Sequence, residues 1–170
     1  MLYDTNLAID RLLDSYKAYY NIDQTSRNFD YLVASCEYHE SSQKYVLSRK
    51  AQLWSEYSEE FLYLFKVDEL TLDIFNKCKD FVLKDGMDKA HIGPSHMYTY
   101  ITPIFVCNSC TNEAKKAIKK CRIYKSFRFS FHGWMDFHTA VFEVNDNTLT
   151  YNNAGRLMAK GIKKVLLKNK

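Results

Sequence analysis

The stretch "SFRFSFHGWMDFHTAVFEV", Ser126 to Val144, sets phenylalanines at alternate positions and places Arg128, Ser130, Asp136 and His138 among them. A hairpin with a three-residue loop at His132-Gly133-Trp134 would pair Phe131 with Met135 and Phe129 with Phe137, apolar against apolar. The same register would set Arg128 opposite His138 and Ser130 opposite Asp136 on the other face. A His–Asp pair can do general acid–base work, and an Arg beside it can hold an anion. These four residues are the candidate catalytic group. The competing reading is a half-wet antiparallel sheet, whose outer face is polar by construction. No nucleophile elbow, phosphate loop or pair of catalytic carboxylates accompanies them.

A second candidate is "FVCNSCTNEAKKAIKK", which places Cys107-x-x-Cys110 between a strand and a helix. Helix N-terminal amides favour a thiolate, so a redox dithiol would benefit there. The arrangement resembles thioredoxin-like proteins over about ten residues. That family also needs a proline after the dithiol, whereas Pro94 and Pro103 both precede it. Zinc would need His91, His96 or Cys121 to complete the set, and two tight ligand pairs are missing. The expectation is therefore five free thiols, no metal and no cofactor, with Cys78 and Cys121 buried against helices.

Charge is distributed unevenly. Residues 1–110 hold 11 Lys and Arg against 16 Asp and Glu, a net of −5, while residues 111–170 hold 13 against 4, a net of +9. Such asymmetry points to an anionic partner for the C-terminal half, nucleic acid first or another polyanion. Lys115, Lys116, Lys119, Lys120, Arg122 and Lys125, with Arg156, Lys160, Lys163 and Lys164, are the candidate contacts. If they act together, the two helices that carry them must form one continuous patch. Basic helix faces are also commonly just solvated surface.

Positioning these residues needs a scaffold. At 170 residues, 46% apolar, with only 5 Gly and 2 Pro, the chain fits one compact domain. Ile9, Leu12, Leu13, Tyr16, Tyr19 and Tyr20 recur at helical spacing, with Asp4 or Thr5 as N-cap. "NFDYLVASCEY" and "KYVLSRKAQLW" read as a hairpin around the polar turn "HESSQ", and "FLYLFKV" as a third strand after "SEYSEE". A helix follows from Asp68 to Gly86, then a strand at "MYTYITPIFVC" that is apolar on both faces. Cys110–Cys121 forms a helix with Ala114, Ala117, Ile118 and Cys121 inward. After the Phe-rich hairpin come a short strand, "TLTYN", and a helix turning Leu157, Met158, Ile162, Val165 and Leu166 to the core. The expected order is αβββαβαβββα, an α+β domain with helices packed on a mixed sheet.

The αβββαβ portion resembles restriction-endonuclease-like folds in topology. Its chemistry departs from theirs: "KYVLSRKAQLW" contains no acid, and Lys66 has Leu64 two residues before it where an acid belongs. Glu37, Glu59 and Glu60 lie off pattern. "KYVLSRKAQLW", "HMYTYITPIFV" and "SFRFSFHGW", in this order and spacing, resemble a family of small bacterial proteins, chiefly clostridial, known as a domain of unknown function. The likeness spans about Tyr16 to Gly155 and implies a bacterial, cytoplasmic, single-domain protein without implying a mechanism. The N-terminus carries Asp4, Asp10 and Asp14 inside its apolar pattern, unlike a signal peptide, and no apolar run is long enough to span a membrane. Three readings of function follow. The first is a nucleic-acid-associated binding module. The second is an enzyme, either a degenerate nuclease or a hydrolase using His138 and Asp136. The third is a protein-interaction domain anchored by exposed tyrosines.

Overall fold

The computed structural model describes residues 4–25, 29–45 and 52–167. The N-terminal helical pattern forms α1 (Thr5–Tyr16), and Asp4 caps it by accepting the Leu7 amide at 2.7 Å. Three strands follow as an antiparallel meander, β1 (Asn21–Asp23), β2 (Leu32–Tyr45) and β3 (Gln52–Leu70). Helix α2 (Leu72–Lys89) leads to β4 (His96–Cys110), which returns parallel to β3. Helix α3 (Asn112–Lys120) precedes β5 (Tyr124–Ser126), β6 (Trp134–Phe137), β7 (Ala140–Glu143) and β8 (Thr148–Tyr151), and α4 (Arg156–Leu166) completes the described elements.

The eight strands form one mixed sheet in the order β1-β2-β3-β4-β6-β5. Strands β6 and β7 run end to end along β4, both parallel to it, and β8 pairs antiparallel with β7. Helices α2 and α3 cover one face. There Phe75, Cys78, Val82, Ala114 and Ile118 pack on Phe65, Ile101, Phe105 and Phe137. Helices α1 and α4 cover the other, where Leu12, Leu13, Ile162 and Leu166 meet Leu62, Leu64, Ile104 and Phe142. The class is α+β, as the pattern implies. Strand β4 is buried on both faces because it lies mid-sheet between the two helix layers.

Several boundaries differ from the sequence reading, and each difference has a physical cause. The segments read as turns, "HESSQ" and "SEYSEE", are strand: β2 and β3 pair continuously from Ala34↔Leu64 through Ser42↔Glu56. Their polar residues lack the apolar alternation that marks a strand, so the pairing is not legible from pattern alone. "KYVLSRKAQLW" is not one strand. Its ends finish β2 and begin β3, and residues 46–51 lie outside the described residues. The first strand of the meander is instead β1, too short at three residues to carry a pattern. Thr71, not Asp68, caps α2, and Gly86 lies inside the helix rather than at its end. A Cβ on Gly86 would sit 2.8 Å from Ile101 Cδ1, so glycine lets α2 press closely on β4.

The Phe-rich hairpin is the largest correction. Strand β5 pairs with β6 in the register Tyr124↔Asp136, Lys125↔Met135, Ser126↔Trp134, so the connecting loop is 127–133 rather than 132–134. Met135 and Phe137 are buried as expected, whereas Phe129 is 96% and Phe131 81% exposed. Arg128, Phe129 and Ser130 adopt left-handed φ of 47°, 53° and 71°, which no strand allows. Leu157, expected in the core of α4, is exposed, and Ala159 takes the inward position instead.

Candidate functional site

The apolar run of β3 begins directly after two acids, Glu59 and Glu60. Alternation along a strand sends consecutive side chains to opposite faces, so each glutamate serves a different layer.

Glu60 turns to the α1/α4 side. In its row across the sheet, Tyr38, Glu60, Tyr100 and Asp136 are register neighbours. One Glu60 oxygen accepts from the Tyr20 hydroxyl at 2.7 Å and the other from Thr102 Oγ1 at 3.1 Å. Burial pushes the Tyr16 and Tyr20 phenols well above their ordinary range, and the nearby Glu60 charge adds to it. Both therefore remain neutral donors. Tyr20 lies between Tyr16 and Tyr38, with ring centroids 5.3 and 6.0 Å away, and Tyr100 stacks on Tyr98 at 4.4 Å. Above them α1 and α4 leave a groove of about 700 Å³ with Glu60 and the tyrosines on its floor and Leu12, Met158, Ile162 and Val165 along its sides. A largely apolar cleft with a few convergent polar groups is the usual form of a small-molecule site.

One of the four sequence-derived catalytic candidates, His138, lines this groove, and Asp136 lies beside it outside the lining. The His138 ring lies 4.4 Å from that of Tyr100, and His138 Nε2 lies 3.6 Å from Asp136 Oδ2. That separation is too long for a hydrogen bond. Burial lowers the His138 pKa despite the opposing pull of Asp136 and Glu60. The bend between β6 and β7 aims the ring, with the His138 amide donating to the Ile101 carbonyl at 3.0 Å. Arg128 and Ser130 do not join them. Both sit exposed in the 127–133 loop, and the cross-strand pairing that would have united the four is not formed.

Glu59 turns to the α2/α3 side and is fully buried. Its Oε1 accepts from the His91 amide at 2.7 Å and from Thr99 Oγ1 at 3.1 Å; its Oε2 accepts from Tyr57 at 3.0 Å and lies 3.2 Å from His91 Nδ1. His39 Nδ1 contacts Tyr57 Oη and lies 3.5 Å from Glu59 Oε2. His96, also buried, links Thr99 to the carbonyl of His132. This network surrounds its carboxylate and leaves it little room for a guest. Among the described residues no group of three or more His, Cys, Asp or Glu side chains is arranged to hold a metal ion.

The cysteines are free thiols. Burial pushes Cys107 up to about 12 and Cys110 up to about 11, against the thiolate a redox pair requires. Cys78 is buried as expected, and Cys121 is half-buried.

The basic residues are divided. Helix α3 packs its apolar stripe on one face of the sheet and α4 on the other, so their lysines form no continuous patch. Lys115 pairs with buried Glu143 at 2.8 Å, and Lys163 lies over the Tyr151 ring at 5.2 Å. Arg156 donates to Asn153. Lys116, Lys119, Lys120, Arg122 and Lys125 are exposed on the α3–β5 side, while Lys160 and Lys164 are exposed on α4.

The architecture is thus a three-layer α+β domain, a mixed sheet between two helix pairs with an open groove under one of them. The chain belongs to the family described as "Domain of unknown function (DUF8052)", whose match covers residues 4–164. No curated protein and no solved structure matches it. No helix among the described residues is long and apolar enough to cross a membrane.

Proposed function

We propose that the protein is a binding module whose groove between α1 and α4 takes a small organic cation with an apolar body. The observation that carries this reading is Glu60, a carboxylate among tyrosines on the floor of the groove. Tyr20 and Thr102 occupy one acceptor direction on each of its oxygens and leave the others for a ligand donor. Aromatic faces attract ammonium groups, and the effect grows where water is excluded. An anionic ligand would meet Glu60 on the floor, and the cation in the lining, Lys164, is solvent-exposed on α4. The helix side chains then supply an apolar wall for the rest of the ligand.

A bacterial cytoplasmic setting belongs to the same proposal, since five unpaired cysteines suit a reducing compartment. So does kinship with restriction-endonuclease-like folds, supported only by the αβββαβ order and the parallel return of β4. A hydrolase role for Asp136 and His138 would have to act on whatever the groove holds. Nucleic-acid binding through a joint α3–α4 surface loses its basis, because those helices lie on opposite faces.

Calorimetric titration with octylammonium, octanol and octanoate tests the groove. Octylammonium should bind most tightly, and Glu60→Gln should weaken it about tenfold, or about 1.4 kcal/mol, leaving octanol unaffected. Octanoate binding as tightly as octylammonium, or an unchanged affinity in Glu60→Gln, would overturn the proposal.

A further inference from the structure

The 127–133 loop holds two phenylalanines in solvent, and it is built to do so. The Phe127 amide donates to the Gly133 carbonyl at 2.9 Å, and the His132 amide donates to the Phe127 carbonyl at 3.1 Å, closing the base. Within the loop, Phe131 donates to Arg128 and Gly133 to Ser130. Three successive non-glycine residues take left-handed backbone, a strained arrangement that persists only where the surroundings enforce it. Gly133 anchors one end: a Cβ there would lie 2.0 Å from the Met97 carbonyl oxygen, at a φ of +71°. Buried His96 pins the same end, its Nδ1 donating to the His132 carbonyl at 2.6 Å and its Nε2 joining Thr99 and the Glu59 network.

In the sequence leading into and through this loop the charge has one sign. Residues 114–135 contain seven Lys and Arg and no Asp or Glu. Strand β5, an edge strand with all three residues exposed, carries Lys125, whose ammonium lies 5.7 Å from the Phe127 ring. Arg128, Phe129, Phe131 and His132 line an open cleft of about 430 Å³. Two phenyl rings could also enter an anionic membrane. A cleft that adds a guanidinium and an imidazole to the rings suits a planar guest carrying an anion. Sequence-tolerant single-strand binding combines these parts, bases stacking on aromatic rings and phosphates meeting cations.

We propose that the Phe129–Phe131 loop and the basic β5 edge form a docking surface for single-stranded nucleic acid. The rings receive a base, and Arg128, with Arg122 and Lys125 beside it in the chain, meets the phosphates. This surface stands apart from the groove, so it does not depend on the cation reading. Fluorescence anisotropy with labelled oligo(U) of about 12 nucleotides tests it in the full chain. Binding should weaken with salt, by a slope of about −0.7 per phosphate contact. Phe129→Ala/Phe131→Ala should lose at least about tenfold in affinity while keeping that slope, because stacking is sequence-tolerant and uncharged. Arg128→Ala should make the slope shallower by about 0.7. Both variants change exposed side chains and should keep the wild-type melting temperature. Three results would overturn the proposal: no binding at about 50 mM salt, an affinity unchanged in the double Phe variant, or Phe-dependent sedimentation with phosphatidylserine vesicles in place of RNA binding.

Discussion

Glu59 turns toward α2, where a backbone amide, two hydroxyls and an imidazole meet a carboxylate sealed from water. Glu60, the next residue, turns toward α1 and α4, where two hydroxyls meet a carboxylate at the floor of an open groove. One strand thus places the same functional group in two opposite roles. The number of donors distinguishes them. A buried carboxylate with several donors is a structural tie, since each donor would be stranded without it. One with vacant acceptor directions beside a cavity has capacity left for a ligand. The tie is not idle, because through Thr99 and His96 it reaches the carbonyl that fixes the exposed Phe loop.

The most direct way to break this contrast is to delete each carboxylate in turn. Glu59→Ala leaves the fully buried Thr99 hydroxyl, the Tyr57 hydroxyl and the His91 amide without the carboxylate they share. It should destabilise the fold by about 3 kcal/mol or more. Glu60→Ala strands two hydroxyls beside an open groove that water can enter, and should cost about 1 kcal/mol. Urea denaturation midpoints of the two variants check it. Equal losses would mean that both glutamates are ties.

Gly133 offers a smaller perturbation on the Glu59 side. Gly133→Ala drives a methyl into the Met97 carbonyl and forces a left-handed alanine. The expected loss is about 2 kcal/mol, with the loop displaced. Hydrogen exchange at the amides of Phe127 and His132, which close the loop base, would show the displacement. Protection unchanged from wild type would mean that the glycine is not what holds the loop.

How far the sequence foretold these regions follows from the range of the forces involved. Local signals were legible: a cap at Asp4 or Thr5, which falls to Asp4, the α1 stripe as far as Tyr16, the stripe of α3, and the double-sided apolarity of β4. Signals that depend on distant partners were not. Phe127, Phe129 and Phe131 alternate as a strand would, and only the close approach of Met97 and the reach of His96 turn them into a loop. His39, His91 and His96 are scattered in sequence and meet only once β2, β3 and β4 align. Glu59 and Glu60 fall in the segment "SEYSEE" that reads as a turn, and strand alternation assigns one to each face only once its pairing with β2 makes it strand. Asp136 and His138 do lie near each other, 3.6 Å apart, but the hairpin register expected to unite them with Arg128 and Ser130 is not formed.

The finest test of the contrast is pH, applied to the groove side through His138. Burial holds its folded-state pKa below the ordinary histidine value of 6.5, outweighing Asp136 and Glu60, which pull the other way. The sign follows from linkage. A group whose pKa is depressed on folding binds protons more readily when unfolded, so its contribution to stability is complete above the unfolded value. That contribution is lost as pH falls through the folded one. Between about pH 7.5 and pH 5.5 the wild type should therefore lose more stability than His138→Gln, which cannot titrate there. The same proton would add a positive charge beside Glu60 and Tyr100, so octylammonium binding should weaken over this interval in the wild type and hold steadier in the variant. Urea midpoints and titrations at the two pH values read both effects. Parallel pH dependence in the two proteins would remove His138 from the groove's electrostatics and leave Glu60 to act alone.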